Sequence, residues 1–573
     1  MIWPQKNRSN LFLSRKAEIG LLICVILILG GYVLFPSLRL LAAGLVPENF
    51  TALFASWQSA NVRALGNSVW ISIASVAGSG VVGTTLAYVF FRFSFPMKQA
   101  LSVMAALPIA LPPLVGVLAF LFLYGESGIL PRGLQSIFGL ENVPFSFSGL
   151  WAVWLVHVYS MYLFFYFFCG AALKTLDRSL LDASYDLGAS HTRTFRKIIF
   201  PHLRPSMISA SLLVFMISMA SFTAPMLFAG SKNFLTLQIY NYKTNGDLGY
   251  SATISLVLTV ICLIFLVMIE WKESRSRALT ASKGSTPPPV PLKSGMGRLV
   301  AAVASFVLVV VLLLPILTII LISFVEEGSW TYQILPQRYT FENYTSLILQ
   351  PDVAEPIINS LIMASIATLG NILFGVAAAV LIVKGRLPGR GILKAIAILP
   401  FAIPGTVIAV NLIVTFSEAS ALSFGHVLVG SFWMLPLAYF IRHIPLIFRS
   451  TLAALESFDD RLLEASADLG ASRLFSFKKV VLPTIGPGIA AGSLLTFVIA
   501  LGEFVSSIML YVYDNRPISV EILSQLRIYN FGAAAAYSVF LMILITFVTI
   551  AVFFLRSDKR SIGSHGNALA DVG

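Results

Sequence analysis

Few residues in this 573-residue chain have the type and spacing to do covalent chemistry. The three cysteines, Cys24, Cys169 and Cys262, all fall inside long apolar runs and support neither a disulfide framework nor a metal site. The six histidines are scattered without ligand spacing. No His/Asp/Glu or Ser/Lys cluster sits within an apolar run, which argues against an intramembrane enzyme. A phosphate-cradling Gly-x-x-x-x-Gly-Lys-Ser/Thr loop is also missing. Two features remain. One is Glu503, an acid within an apolar stretch. A charge at a bilayer centre costs on the order of 3 kcal/mol and so turns to a cavity or a partner. The other is a polar, basic stretch that the chain contains twice.

The first copy reads Asp182-Ala183-Ser184-Tyr185-Asp186-Leu187-Gly188-Ala189-Ser190 and runs on to Pro201. The second reads Glu464-Ala465-Ser466-Ala467-Asp468-Leu469-Gly470-Ala471-Ser472 and runs on to Pro483. At an offset of 282 residues, 10 of 20 positions are identical. Asp177 and Asp459 can cap a helix by accepting its first free amide protons. Gly188 and Gly470 can end it, because glycine takes the left-handed conformation without steric cost. Ser190 and Ser472 can cap a second short helix, and Pro201 and Pro483 mark its end. Each copy therefore reads as a surface helix–turn–helix. Helical spacing puts Leu180, Ala183, Ser184 and Leu187 on one face, and Leu462, Ala465, Ser466 and Leu469 repeat the pattern. A small, rigid face presented twice suits docking to a two-fold partner.

The elements that carry these loops are apolar. The chain is 57% hydrophobic and 11% charged, against roughly 25% charged in a soluble domain. Continuous rather than alternating apolar runs predict membrane-spanning helices. Twelve are expected, at about 19–34, 66–91, 99–124, 149–172, 205–229 and 251–271, then 298–324, 358–383, 392–417, 427–448, 487–512 and 535–556. A Pro/Ser-rich linker at 272–297 separates a first half, 1–271, from a second, 298–573. Asn67-Ser68 recurs as Asn359-Ser360, and Leu107-Pro108 with Pro112 recurs as Leu399-Pro400 with Pro404, both at an offset of 292. Pro108, Pro112, Pro113, Pro400 and Pro404 predict kinks in the third and ninth spans. Six spans per half is an even number, so the repeat is parallel, about an axis along the membrane normal.

The formal net charge of +13 could point to nucleic acid in a soluble protein. Here it follows the membrane. With the N-terminus inside, 31 of the 39 Lys and Arg residues fall on inside segments, and both repeated loops face the cytoplasm. This places both termini in the cytoplasm of a multi-pass chain, with membrane lipid and no nucleic acid as its surroundings.

Glu464, Ala465, Gly470, Val480, Leu482 and Pro483, with Ser466 in place of a second alanine, resemble the signature loop of permease subunits of binding-protein-dependent ABC importers of the type I (MetI-like) fold. In the first copy Asp182 replaces the Glu and Phe200 replaces the Leu. The resemblance covers nearly the whole chain as two fused permease domains. It implies an all-α membrane protein whose two loops are coupling helices docked on an ABC ATPase homodimer. The ATPase holds ATP and Mg, so the permease needs no cofactor and does no hydrolysis itself. It also implies a solute-binding protein at the outer face. The fused arrangement is similar to ferric-iron and thiamine permeases. His157-Val158-Tyr159, Arg442-His443-Ile444-Pro445, Gly502-Glu503-Phe504 and Ile518-Ser519-Val520-Glu521-Ile522 look most like the ferric-iron group. Phosphonate, sugar phosphate and polyamine are the other solutes of related systems.

Glu503, matched by Ser221 in the first half, is expected to line the pathway or to close a gate near Ser218 and Ser221. His157, at the position of Tyr439, reads as a satisfied interior histidine rather than a metal ligand. An ion-gradient transporter is the more distant alternative, and it would leave the repeated loop unexplained.

Overall fold

The computed structural model describes residues 15–277, 290–291, 294–330, 333–385 and 389–567. The first sequence half contributes α1 (Arg15–Gly44), α2 (Ala60–Arg92), α3 (Pro113–Tyr124), α4 (Leu150–Lys174), α5 (His191–Met219) and α6 (Leu248–Arg277). The second contributes α7 (Gly295–Ile322), α8 (Pro351–Lys384), α9 (Gly405–Phe416), α10 (Met434–Glu456), α11 (Arg473–Leu501) and α12 (Phe531–Asn567). Local chemistry sets several starts. Ser59 accepts the Val62 amide at the head of α2, and Ser294 accepts the Gly297 amide at the head of α7.

Among the described residues, ten helices are long and apolar enough to cross a membrane, or eleven if α9 and the segment before it count as one span. The expected twelve are not reached. The helix that falls short is α10, which carries Arg442, His443, Arg449 and Glu456. The kinks expected at the prolines are present. Before α3 a 3₁₀ turn, Leu107–Ala110, holds Pro108, and Pro112 and Pro113 follow it. Before α9 the segment Arg390–Phe401 bends by 108° into Gly405–Phe416, with Pro400 and Pro404 at the break. Proline has no amide to give to the preceding turn, so the helix cannot run through.

Two compact units are present, and each is assembled from both sequence halves. One gathers residues up to Gly44, Thr345–Ser524 and the chain from Phe540. In it α8, α10 and α11 pack together, and α1 lies on α8 and α9. The other gathers Leu45–Tyr344 and Gln525–Val539. In it α2, α4 and α5 pack together, and α7 lies on α3. The helix that opens each sequence half therefore packs on helices of the other. The expected linker at 272–297 lies largely outside the described residues, as do Lys6, Arg8, Lys283, Lys293 and Arg386. A two-residue parallel pair, β1 (Phe93–Ser94) with β2 (Val290–Pro291), ties one described piece of it to the end of α2.

Within lipid, helices associate through small residues and buried polar contacts rather than hydrophobic drive. The repeat supplies both. Gly78 faces Trp154 and Val158 of α4, and its counterpart Gly370 faces Phe440 of α10. A Cβ on Gly83 would collide with the Tyr162 carbonyl, and one on Gly375 would sit 3.0 Å from Ile447 Cγ2 and 3.1 Å from the Phe448 amide nitrogen. The Trp154 indole donates to the Ala74 carbonyl at 2.9 Å, and Asn371 donates to the Phe440 carbonyl at 3.1 Å. We expect Gly83→Ala and Gly375→Ala each to destabilise by about 1–3 kcal/mol through overpacking, with Gly83→Ala the worse. Gly66→Ala, in open space on α2, should be neutral or stabilising. Thermal unfolding midpoints in detergent check the order.

Candidate functional site

The two repeated loops fold alike. After α4, the short helix Arg178–Asp186 starts where Asp177 accepts the Ser179 amide at 3.0 Å. It ends in a Schellman motif: the Gly188 amide donates to Tyr185 O at 2.9 Å and the Ala189 amide to Ser184 O at 3.0 Å. Gly188 takes φ 74°. In the second copy Asp459 accepts the Arg461 amide at 3.0 Å, the helix is Arg461–Asp468, and Gly470 takes φ 79°. There the Gly470 amide donates to Ala467 O at 2.9 Å and the Ala471 amide to Ser466 O at 3.1 Å. The Arg461 guanidinium and amide, both donating to Asp459, hold its carboxyl below the ordinary range. Ser190 and Ser472 cap the next turn, accepting from the Arg193 and Phe475 amides at 3.3 Å.

Two expectations need correction. Ser184 and Ser466 do not share the open face. They point inward and bolt the loop shut, Ser184 Oγ to Thr194 Oγ1 and Ser466 Oγ to Ser476 Oγ, each at 2.8 Å and buried. The open face consists of Leu180, Ala183 and Leu187 in one copy and Leu462, Ala465 and Leu469 in the other. Leu187 and Leu469 are 88% and 89% exposed. Nor do Pro201 and Pro483 end a helix. Each lies inside a continuous helix, α5 or α11, directly after a π turn at Phe195–Ile199 or Phe477–Val481. The wider turn takes up the space and the missing donor that would break an α-helix. A basic residue at the end of α2 or α8 steadies each loop: Arg92 donates to the Tyr185 hydroxyl at 3.2 Å, and Lys384, its counterpart, pairs with Asp460 at 2.5 Å.

A second repeated feature lies where α5 and α11 stop. After Met219 the chain breaks and resumes as Thr223–Phe228, then Leu235–Thr244. After Leu501 it resumes as Val505–Leu510, then Ile518–Arg527. Ser221 and Glu503 therefore sit in breaks, not in mid-helix as expected for Glu503. The carbonyl freed at each break is stapled by a hydroxyl, Thr236 to Ser221 O and Ser519 to Glu503 O, both at 2.7 Å. The repeated Asn-Ser pairs hold the next helix. Ser68 accepts the Leu235 amide at 3.1 Å and Ser360 the Ile518 amide at 2.8 Å. Asn67 donates to Asn233 O at 3.0 Å and Asn359 to Arg516 O at 3.3 Å.

The breaks differ in charge. Ser221 bonds His157 Nε2 at 2.8 Å, while His157 Nδ1 meets Ser75 at 3.1 Å and Ser218 at 3.0 Å. His157 is thus a satisfied interior histidine in a neutral hydroxyl network. Glu503, 5% exposed, is an ion-pair partner: Oε2 lies 3.2 Å from Arg442 Nε and 4.0 Å from His443 Nε2, and Oε1 accepts the Ser506 amide at 3.0 Å. Arg442 belongs to α10. Its signal was present: the first half carries Ser160 at its position and Ser221 at that of Glu503, so acid and base appear together in one half.

The profile of the binding-protein-dependent transport system inner membrane component family matches residues 79–278 and again 371–561. A probable ABC transporter permease of Sinorhizobium fredii is 27% identical, over 93% of this chain and 94% of its own length. A ferric transport system permease of Actinobacillus pleuropneumoniae is 27% identical, over 95% of this chain and 79% of its own. A sulfate transport system permease of Salmonella typhimurium is 29% identical but covers 39% of this chain and 85% of its own length.

The bolts in the loops are testable by oxidation. In a background without Cys24, Cys169 and Cys262, the pairs Ser184→Cys/Thr194→Cys and Ser466→Cys/Ser476→Cys should lose maleimide labelling after mild oxidation and regain it on reduction. Labelling unchanged by oxidation would contradict the folded loop.

Proposed function

The chain belongs to the binding-protein-dependent transport system inner membrane component family, and on that premise we propose that it passes ferric iron across a bacterial inner membrane. As an ABC permease it leaves ATP hydrolysis to a separate subunit. In this reading both termini and both repeated loops are cytoplasmic, and the halves 1–271 and 298–573 are two fused permease domains joined by 272–297. They contribute twelve spans, with α10 as the twelfth. A solute-binding protein delivers iron at the outer face. ATP and Mg stay with the ATPase dimer, and the permease itself uses no cofactor.

One observation carries the coupling role: a rigid helix with an open Leu-Ala-Leu face, built twice with the same caps, bolt and basic clip. In the first loop Asp182 pairs with Arg178 at 3.2 Å on the exposed side, next to Ala183, Gly188 and Ser190, with Pro201 inside the helix that follows. In the second, Glu464, Ala465, Gly470 and Ser472 hold the equivalent places, with Pro483 in α11. Two such faces fit two equivalent clefts of an ATPase dimer. Iron is favoured because the permease named for ferric transport aligns along nearly the whole fused chain, whereas the sulfate permease aligns with about one half.

The test is reconstitution in proteoliposomes with the partner ATPase and binding protein. Uptake of radiolabelled ferric iron should require both partners and ATP, and excess thiamine or sulfate should not compete. ATP-driven uptake of another solute, indifferent to iron, would reject the cargo. Leu187→Asp and Leu469→Asp should each lower ATPase co-purification and uptake by at least about tenfold, the loss expected for a central interface anchor. Wild-type co-purification by both variants would reject the docking role.

A further inference from the structure

Three positions that meet around Arg442 in the second half differ together from the first. Glu503 stands where the first half has Ser221, Arg442 where it has Ser160, and Gly405 where it has Pro113. In the structure these three form one joint. Glu503 lies in the break after α11, and its Oε1 accepts the Ser506 amide, capping the helix Val505–Leu510. Its Oε2 pairs with Arg442 of α10 at 3.2 Å. A Cβ at Gly405, the first residue of α9 after its 108° bend, would collide with the Arg442 guanidinium. The Ser506 hydroxyl also donates to the Gly405 carbonyl at 3.4 Å. The first half needs no such room, because Ser160 turns back to the Val156 carbonyl of its own helix at 2.8 Å.

We propose that Arg442 is a positioning residue for transport: it pins the broken end of α11 to α10 through Glu503, in a seat at the bent start of α9 that only Gly405 leaves open. Glu503 is then a structural counter-ion, not a binding group for a cationic solute. A lone acid at this depth would attract a cation, but here the arginine beside it already supplies the charge. The inference rests on the permease reading, yet it does not depend on which solute passes.

The experiment uses the assembled transporter with its ATPase and binding protein. Glu503→Gln and Arg442→Gln are made singly and together, and Gly405→Ala is placed in both the wild-type and the doubly neutral backgrounds. Basal ATP hydrolysis without binding protein and the KM and maximal rate of uptake are measured at equal amounts of co-purified ATPase. A pin predicts that each single change lowers the maximal uptake rate at least about tenfold and alters basal hydrolysis, since it strands a buried charge or its partner. The double variant should recover most of the loss with KM unchanged. Gly405→Ala should mimic Arg442→Gln in wild type and add nothing in the double background.

A double variant as impaired as Glu503→Gln alone, with a raised KM, would overturn the proposal and return Glu503 to solute binding. A Gly405→Ala defect that persists undiminished in the double background would overturn the role of that glycine. If the neutral variants fail to assemble, the pair Glu503→Asp/Arg442→Lys keeps both charges. It should hold basal hydrolysis at the wild-type level, and hydrolysis altered as in a broken coupling would overturn the pin. Failure of the permease reading is separate, because wild type itself would then show no ATPase binding.

Discussion

A backbone that bends inside lipid must find a partner for every amide and carbonyl it frees, because no water is there to take them. Much of this structure follows from that demand. The breaks after α5 and α11 free carbonyls at Ser221 and Glu503, and a hydroxyl from the helix two elements on returns to each, from Thr236 and Ser519. That helix has its own unsatisfied first amides, and Ser68 and Ser360 accept one apiece. The chain thus closes a short circuit of hydrogen bonds twice, with the same residue types at corresponding places.

Beyond that shared frame the halves diverge in how they fill the polar centre. The first uses neutral groups: His157 with Ser75, Ser218 and Ser221. The second uses full charges and needs a glycine to seat them. A network of hydroxyls around an imidazole loses little if one member shifts. A buried ion pair loses much more, because either charge left alone is poorly solvated. The same fold therefore carries one tolerant joint and one demanding joint.

Repeat, caps and turn glycines were legible because their signals are local. Asp177, Gly188 and Ser190 act on backbone groups within a few residues, and so do Asp459, Gly470 and Ser472. Direction of a side chain around a short helix was less legible. Ser184 and Leu187 share a stripe by spacing, yet Ser184 turns to Thr194 ten residues on while Leu187 stays open. Pro201 and Pro483 were misread for a related reason. Proline normally stops a helix, and nothing in Phe195–Ile199 announces a π turn. The role of Arg442 was less legible, because its partner Glu503 lies 61 residues on, and only the paired change at Ser160 and Ser221 links the two. The twelfth expected span, α10, does not stand out by hydropathy because it carries Arg442, one partner of the buried Glu503 pair.

The π turns have a mechanical consequence. Because Pro201 does not stop the chain, the loop's second helix and α5 are one rod of 29 residues, and Arg473–Leu501 is its twin. At 1.5 Å per residue such a rod is ~43 Å long. Its near end is bolted to the short loop helix through Ser184 and Thr194, and its far end is the break at Ser221. A tilt of ~5° imposed at the loop would sweep the far end by ~4 Å over that length, about the width of a side-chain contact. Displacement is thus multiplied along a continuous helix and delivered to the break in the backbone that follows it.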